Sequence, residues 1–561
     1  MKQPNFLYLA ILAGLLLAGN RASAAPTVDT WTGATDANWN NTSADWSPNG
    51  TFTNDDSAVF TGTAPTSITI GSGVEVGNGN STGKSALDFT GGNYTFGGST
   101  LTFDGTNGDT GIAVSSGASA TFNVGISETG ASFYVAGNGS NGTLTFADGL
   151  QSGGLDTNSL GSFGGNQLYI GQYDGATVNF TGGNVYGNYT NVSASATNVS
   201  GTAALDVSQL QLQGSITVNG AAASVNVLGD NNRDSLIVGT GNNPAELDLK
   251  AGTVTASGGI SIDNQDNNTA NQANTGTLLI EGGVLTTDTG GSTPQGIIIA
   301  PTQTTGGRGN GVLTITGGTV TTAGITFGGS YSSGTYDPTA TSSATANISG
   351  GTTYIGALGI NQAAVAPMTN TINLSGGTIG ATANWSSSMA MNLATGTNGN
   401  VTFQLANATG TAESIALNGV LSGSGGLKVS APAAGGALTL GATNTYTGNT
   451  EVEGNAQLTL TVNTALAALS SLTLDLATGT QIYNGTVNLD YTGYDYISAL
   501  SIDGVAQVDG IYSASQLGGS GSGFIDVGDV AVPEPNTWAL LIGGIGALVV
   551  IVRRRAKAFV L

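Results

Sequence analysis

The chain has 561 residues, of which 91 are glycine and only 8 % are charged, against about 25 % charged residues in typical soluble domains. It contains neither cysteine nor histidine. Their absence excludes disulfides, thiolate metal sites and every Ser–His or Cys–His catalytic pair. The formal net charge is −23, and so acidic a chain repels phosphate backbones, so we expect no nucleic-acid partner.

The first element predicted along the chain is a secretory signal peptide over residues 1–24. Lys2 precedes an apolar run over residues 6–18, and Ala22-Ser23-Ala24 then supplies small residues at the spacing that signal peptidase requires. The apolar run is too short for a membrane span, which needs about 20 residues. We therefore predict cleavage between Ala24 and Ala25.

The segment 25–60 carries three tryptophans within 16 residues, Trp31, Trp39 and Trp46. One interpretation is a functional platform of aromatic rings that binds sugars. The other is a cap that closes the first coil of a repeat array, because the end of a solenoid must be covered. We favour the cap.

Residues 61–416 contain a short recurring pattern: apolar, any residue, apolar, small or polar, Gly, Gly. The last five glycine pairs start at residues 258, 282, 317, 350 and 376, so they are 24, 35, 33 and 26 residues apart. Alternation of apolar and polar residues predicts strands with one buried face, and a glycine pair supplies the positive φ of a corner. A second type of strand ends in one glycine, at Gly171, Gly239 and Gly328.

This repetition predicts an all-β fold. Repeats of 20–45 residues that cannot bury a core alone must stack, so we expect an elongated right-handed parallel β-helix, a solenoid. The alternative is a row of tandem antiparallel β-sandwiches, which also shows short alternating strands between turns. The irregular spacing of the glycine pairs leaves that alternative open.

Residues 417–465 carry a different repeat, in which Leu421-Ser422-Gly423-Ser424-Gly425-Gly426-Leu427 is followed by Asn444-Thr445-Tyr446-Thr447-Gly448-Asn449-Thr450. This segment resembles the autotransporter-associated β-strand repeat. The resemblance covers about 40 residues and implies the β-helical architecture of secreted passenger domains. Residues 466–532 are predicted to form a C-terminal β segment and linker.

The last 29 residues, 533–561, read as a sorting tail. Pro533-Glu534-Pro535 precedes an apolar run over residues 538–552 and then the cluster Arg553, Arg554 and Arg555. The run predicts a terminal hydrophobic, transmembrane helix, and the arginines place its end in the cytoplasm. The three parts in this order resemble the PEP-CTERM sorting signal. The resemblance implies a Gram-negative host that makes exopolysaccharide, and exosortase as the partner that recognises Pro-Glu-Pro and removes the tail.

Candidates for chemistry in the body are few. A polysaccharide lyase of β-helical fold would need a basic residue such as Arg233 or Arg308, and both sit in predicted loops. Two acidic segments carry several side-chain oxygens that could serve as Ca²⁺ ligands. One contains Asp230, Asn232 and Asp234, and the other contains Asp263 and Asp266. Neither follows a known calcium pattern, so we expect no metal, no cofactor and no catalytic residue.

The sequence therefore predicts an exported structural or adhesive protein of the cell surface or extracellular matrix, associated with exopolysaccharide or biofilm. Its tail would anchor it in the membrane until exosortase acts. The alternative is a β-helical carbohydrate-active enzyme, either a polysaccharide lyase or a glycosidase that needs two facing carboxylates.

Overall fold

The structure, a computed structural model, describes residues 27–528 except for 55, 63–64, 78–85, 105–109, 130–131, 138–139, 153–166, 172–174, 194–195, 230–234, 241–242, 264–273, 288–295, 302–308, 330–341, 364–367, 397–398, 433–434 and 475–484. The chain divides into two compact units. The first comprises residues up to Leu210 with Gly214–Asn226, and the second comprises Gln211–Gln213 with residues from Val227 onward.

Short strands follow one another from the N-terminal side to Val227. They are β1 (Val28–Trp31), β2 (Asn38–Trp39), β3 (Trp46–Ser47), β4 (Ser57–Phe60), β5 (Ser67–Ile70), β6 (Glu75–Gly77), β7 (Leu87–Phe89), β8 (Asn93–Gly98), β9 (Leu101–Asp104), β10 (Thr110–Val114), β11 (Ser119–Phe122), β12 (Ile126–Glu128), β13 (Ser132–Val135), β14 (Thr143–Phe146), β15 (Leu150–Ser152), β16 (Gln167–Ile170), β17 (Thr177–Phe180), β18 (Asn184–Val192), β19 (Ala196–Ser200), β20 (Ala204–Leu212) and β21 (Ser215–Val227).

These strands stack in parallel, each on the strand that occupies the same place in the previous coil. One column runs β1-β4-β7-β10-β13-β16-β18. A second runs β2-β5-β8-β11-β14-β17-β19-β21, and a third runs β6-β9-β12-β15-β18. Three strands per coil and parallel pairing between coils define a solenoid.

The core of the first unit contains a stack of aromatic rings on the second column. Phe96, Phe122, Phe146 and Phe180 are in register on successive strands, with centroids 5.0, 5.4 and 5.5 Å apart and nearly parallel planes. All four are fully buried. Alternation along each strand sends the residues between them to the outer face, as the period of two requires.

The strands of the second unit begin after Val227. They are β22 (Leu236–Val238), β23 (Ala245–Ala256), β24 (Ile260–Ile262), β25 (Asn274–Ile280), β26 (Val284–Thr287), β27 (Ile297–Ile299), β28 (Gly309–Ile315), β29 (Thr319–Phe327), β30 (Ser342–Ile348), β31 (Thr352–Gln362), β32 (Met368–Leu374), β33 (Thr378–Ala381), β34 (Trp385–Ser387), β35 (Met391–Leu393), β36 (Val401–Gln404), β37 (Ile415–Leu417), β38 (Leu421–Ser422), β39 (Leu427–Ala431), β40 (Ala437–Leu440), β41 (Asn449–Gly454), β42 (Gln457–Leu460), β43 (Ser471–Leu474), β44 (Thr486–Leu489), β45 (Tyr494–Ile497), β46 (Ala499–Ile502), β47 (Val505–Ala506), β48 (Gly510–Ser513), β49 (Gly518–Gly521) and β50 (Phe524–Val527).

The second unit repeats the parallel stacking. Its columns are β22-β24-β27-β29-β31, β23-β25-β28-β30-β32-β35-β38, β23-β26-β29-β31-β33-β36-β39-β41-β43-β46 and β34-β37-β40-β42-β44-β49. The one helix among the described residues is a 3₁₀ turn at Ala514–Leu517.

The glycine pairs form the corners of the coils, as the sequence pattern predicts. Leu278, Leu313, Ala346 and Ile372, the first apolar residues of four repeats, are in register on successive strands. The second glycine of each pair is left-handed; Gly318 has φ +71°. A Cβ added there would lie 2.6 Å from the carbonyl oxygen of Gly282, closer than any side chain tolerates. Only glycine fits this corner.

Parallel pairing decides between the two predicted architectures. Nearly all strand pairs of the described ranges whose register is defined are parallel, and the antiparallel ones among them are β1 with β3, β46 with β47 and β48 with β50. Tandem antiparallel sandwiches would need antiparallel pairs throughout, so the solenoid prediction is confirmed and that alternative is wrong. The predicted terminal helix, over residues 538–552, lies outside the described residues. No helix in the part of the chain that the structure describes has the length and apolar character needed to cross a membrane.

Candidate functional site

The three N-terminal tryptophans lie inside the first coils. None of Trp31, Trp39 and Trp46 is more than 3 % exposed. Their centroids are 5.1 Å apart for Trp31 and Trp46 and 5.2 Å for Trp39 and Trp46, and Phe60 lies 5.7 Å from Trp46. Rings packed this closely on one another offer no face to a ligand. The sugar-platform interpretation of these residues is therefore wrong.

Exposed aromatic rings occur instead near the C-terminal end of the second unit. β45, β50 and β48 form a small sheet, in which β45 and β50 are parallel and β48 is antiparallel. The outer face of this sheet carries Tyr494, Tyr496, Phe524 and Ile511, which are 41, 42, 36 and 54 % exposed. Tyr494 and Phe524 stack with centroids 5.6 Å apart and planes inclined by 30°. We call these four residues the aromatic face.

This sheet is where parallel stacking changes to antiparallel pairing. After β46 the chain reverses through Asp503 and Gly504, which have φ +54° and +74°, and pairs antiparallel as β47. Two consecutive residues with positive φ are the mark of the tight type I′ hairpin. β47 lies antiparallel at the edge of β46, and β48 lies antiparallel at the edge of β50.

An open groove of about 480 Å³ follows the neighbouring corner of the coils. Three stacked strands, β42, β44 and β49, end at this corner, and the residues that follow them line the groove. They are Thr461, Val462, Asn463, Asp490, Tyr491, Thr492 and Ser522. We call this the corner groove; hydroxyl, amide and carboxylate groups form most of its wall.

Tyr491 connects the corner groove to the aromatic face. Its hydroxyl donates a hydrogen bond of 2.9 Å to the carbonyl oxygen of Phe524, and its own carbonyl oxygen accepts one of 2.9 Å from the Ser522 hydroxyl. A Cβ added at Gly523 would lie 2.5 Å from the Tyr491 ring. The ring therefore lies directly beneath the backbone that carries Phe524, and it fixes the position of that residue.

Asp495 lies on the inner side of the same sheet, between the two exposed tyrosines. It is 1 % exposed, and its carboxylate accepts a hydrogen bond of 3.0 Å from the backbone N–H of Leu466. Burial raises the pKa of Asp495 to about 7, although hydrogen bonds from backbone N–H groups of Leu466, Ala465 and Tyr496 lower it in part. The carboxyl group thus changes charge near neutral pH.

Most of the site residues predicted from sequence lie outside the described residues. These are the sorting residues Pro533, Glu534, Pro535, Arg553, Arg554 and Arg555, the cleavage residues Ala22, Ala24 and Ala25, the arginines Arg233 and Arg308, and the acidic-loop residues Asp230, Asn232, Asp234 and Asp266.

Asp263, the described member of the acidic loops, has a structural role. It is fully buried, its φ is +57°, and its carboxylate accepts a hydrogen bond from the backbone N–H of Asn310. Within the described ranges, no three carboxylate side chains come together in a way that could hold a metal ion.

The two lysines that the structure describes are both in ion pairs. Lys250 Nζ lies 3.0 Å from Asp248 and 3.2 Å from Glu281, and Lys428 Nζ lies 2.5 Å from Glu453. Solvent-exposed pairs of this kind each stabilise a protein by at most about 1 kcal/mol. Asp248 lies on the same strand as Lys250, whereas Glu453 lies on the strand next to that of Lys428.

The fold defines this chain as a stacked parallel-β repeat protein. The family model described as the PEP-CTERM protein-sorting motif matches residues 531–555, which span the Pro-Glu-Pro segment, the apolar run and the arginine cluster. No curated protein and no solved structure matches the chain. The motif implies export, sorting by exosortase and a transient C-terminal anchor, and it indicates an extracellular protein.

The aromatic face was missed by the sequence reasoning. A signal was present, because Tyr494-Asp495-Tyr496 places two tyrosines on one face of a strand. Alternation alone does not show whether the face that carries the two tyrosines is buried in the core or exposed to solvent.

Proposed function

We propose that this chain is an exported structural and adhesive protein, delivered by signal peptidase and exosortase to the cell surface or extracellular matrix, where it associates with exopolysaccharide or biofilm. The sorting motif at residues 531–555 carries the proposal. Sorting of this kind presents the folded body outside the cell, because the cytoplasmic arginines keep the tail oriented across the membrane. The apolar run at residues 538–552 then serves as the anchor until exosortase removes it.

The body suits display because its outer surface is braced by polar side chains in register. Asn373 donates from Nδ2 to the Oδ1 of Asn347 at 2.9 Å, and Asn392 donates to Asn373 at 3.1 Å. In the first unit Asn198 donates to Asn179 at 2.8 Å. Bonds between neighbouring coils resist local opening, and they present a regular row of amides to a hydroxyl-rich polymer.

We propose for the whole body the elongated right-handed β-helix that the repeats predict, with residues 417–465 as one autotransporter-associated repeat within it. The strands of that segment, β38 to β42, continue the parallel columns of their neighbours. Crossovers between parallel strands are right-handed in about 98 % of cases, which supports the handedness.

We also propose that the protein works by contact and not by catalysis. The acidic chain has five basic residues between its predicted terminal signals and no histidine. Such a composition offers few ways to hold an acid and a base poised near neutral pH. Weak hydroxyl, amide and aromatic contacts would gain strength from many copies on one surface.

The test compares host cells that carry the chain with cells from which it has been deleted. We expect deletion to lower the amount of exopolysaccharide retained on washed cells and to weaken cell aggregation, and complementation with the full chain to restore both. Equal retention and aggregation in the deleted and complemented cells would overturn the adhesive role. Release of new reducing or unsaturated sugar ends by the purified protein would overturn the non-catalytic role.

A further inference from the structure

The aromatic face and the corner groove are adjacent along two segments of the chain. Thr492 precedes Tyr494 by two residues and Ser522 precedes Phe524 by two. Two residues span at most about 7 Å, so the backbone of the groove wall and the backbone that carries the rings are no further apart than this. The groove wall supplies the Thr461, Thr492 and Ser522 hydroxyls and the Asn463 amide. Polar groups thus stand at one side of a pair of stacked, open rings.

This combination matches the chemistry of a sugar ring. A hexose has an apolar face of C–H groups that packs on the electron-rich face of an aromatic ring. Its rim of hydroxyls needs donors and acceptors at the edge of the same site, because polar groups that lose water must find new partners. Tyr494 and Phe524 provide the stacking surface, and the corner groove provides the polar edge.

The charges on the site select among sugars. Asp490 lines the corner groove. Asp526 faces outward on β50, directly opposite Tyr496 on one side and Ile511 on the other. Two carboxylates on a chain of net charge −23 repel uronic acids and other anionic sugars. They accept hydrogen bonds from neutral hydroxyls and attract the ammonium group of an amino sugar.

We propose that the aromatic face and the corner groove together form a binding site for a neutral or amino-sugar polysaccharide. The site rests on the proposed adhesive function and assigns it a place on the molecule and a class of ligand. Occupation by a second copy or by another apolar protein surface is disfavoured, because the carboxylate of Asp526 stands among the rings and cores of protein interfaces are depleted of charge.

Tyr491 and Asp495 act as positioning residues for this site. Tyr491 holds the backbone of Phe524 through its hydroxyl. Asp495 ties β45, which carries both tyrosines, to Leu466 of the preceding coil. Neither side chain is open to solvent enough to stack on a sugar itself.

The test uses the full chain purified in detergent and measures its retardation in gels that contain a neutral β-glucan, chitosan or polygalacturonate. The double variant Tyr494→Ala/Phe524→Ala removes the stacked rings, and Asn463→Ala removes a polar contact in the groove. Leu358→Ala/Val420→Ala is the matched control, because each of these residues is 41 % exposed, as Tyr494 is, and lies elsewhere in the same unit. Circular dichroism and sedimentation velocity check folding and association.

We expect the wild type and the control to bind the glucan or chitosan and to ignore polygalacturonate. The double variant should bind at least about tenfold more weakly, and Asn463→Ala should weaken binding by a smaller factor. Equal binding by the double variant and the control would overturn the site while leaving the adhesive function standing. A wild type that binds none of the polymers, or that prefers polygalacturonate, would overturn the proposal as well. So would an oligomeric wild type whose double variant is monomeric, because the rings would then lie at an interface between copies. The retention of exopolysaccharide by cells reports separately on the proposed function.

Discussion

Asp495 accepts a hydrogen bond of 3.0 Å from the backbone N–H of Leu466, 29 residues earlier in the chain. The bond joins two successive coils beneath the aromatic face, and it puts a carboxyl group in a place that disfavours its charge. Burial raises the pKa of this group from 3.8 to about 7. In the unfolded chain the carboxyl group has its ordinary pKa, so the two states bind different numbers of protons between these values.

We predict that this residue makes the second unit less stable as pH rises from about 4 to 7. The folded state keeps the proton over that interval while the unfolded state releases it, so the free energy of unfolding falls with pH and levels off above the folded pKa. Asp495→Asn should remove this dependence on pH, which amounts to a loss on the order of 4 kcal/mol across the interval. Melting temperatures measured from pH 4 to 8 test it, with the exposed Asp509→Asn as control. Parallel curves for wild type and Asp495→Asn would contradict the prediction.

The direction of side chains on β28 gives a second prediction. Ile315 is fully buried, whereas Thr314, one residue earlier, faces outward and is in register with Asn347. Ile315→Asp should therefore strand a carboxylate in the core and cost on the order of 3 kcal/mol or more. Thr314→Asp should cost under about 0.5 kcal/mol. Urea unfolding measures both, and similar small losses would show that the strand does not have this orientation.

The glycine corners predict a third result. Gly318→Ala introduces a Cβ at a positive φ and 2.6 Å from the Gly282 carbonyl oxygen, so the backbone of two coils must shift. Gly399 has φ +81° but nothing within 4 Å of its added Cβ. Gly399→Ala should cost only the conformational penalty, about 1–2 kcal/mol, and Gly318→Ala should cost at least about 1 kcal/mol more. Equal losses in thermal unfolding would argue against close stacking of the corners.

The asparagine row on the outer surface supplies a fourth prediction. Asn373 donates to Asn347 and accepts from Asn392, so Asn373→Ala should remove two hydrogen bonds and cost about 1–2 kcal/mol. Asn392→Ala removes one and should cost about half as much. Hydrogen exchange of the amides of β32 should accelerate in Asn373→Ala. An unchanged exchange rate would show that the row contributes nothing to rigidity.

The stacked coils could be predicted from sequence because the pattern is local. Leu313, Ile315 and the pair Gly317-Gly318 place strand, buried face and corner within six residues, and the same order recurs in the other repeats that carry a glycine pair. Residues 417–465 show the same alternation, and their strands join the same columns.

The other type of corner was only partly predictable. Gly171, Gly239 and Gly328 follow their strands with positive φ, as the single glycines suggest. Ala136, Asp263 and Ala300 also have positive φ, between +54° and +57°, although nothing about alanine predicts it. Stacking of one coil on the next imposes the left-handed turn there and outweighs local preference.

Exposure could not be predicted, because it depends on distant strands. Trp39 and Trp46 are buried by contact with Phe60 and Phe52, which lie beyond them in the chain. Tyr494 and Tyr496 stay open because they lie on the outer face of β45, whereas Asp495 between them lies on the inner face. The sequence favoured a cap for the tryptophans and offered them as the alternative sugar platform, whereas the open rings lie more than 400 residues further along.

The central claim is that exosortase sorts this chain to the cell surface and removes its tail. The most direct test is the intact mass of the chain recovered from the outside of its host cells. We predict a product that begins at Ala25 and lacks everything beyond about Val532, and we predict that Pro533→Ala/Pro535→Ala keeps the tail attached, while Asn536→Ala/Thr537→Ala is processed normally. Surface protein whose mass still includes Arg553, Arg554 and Arg555 would contradict the central claim.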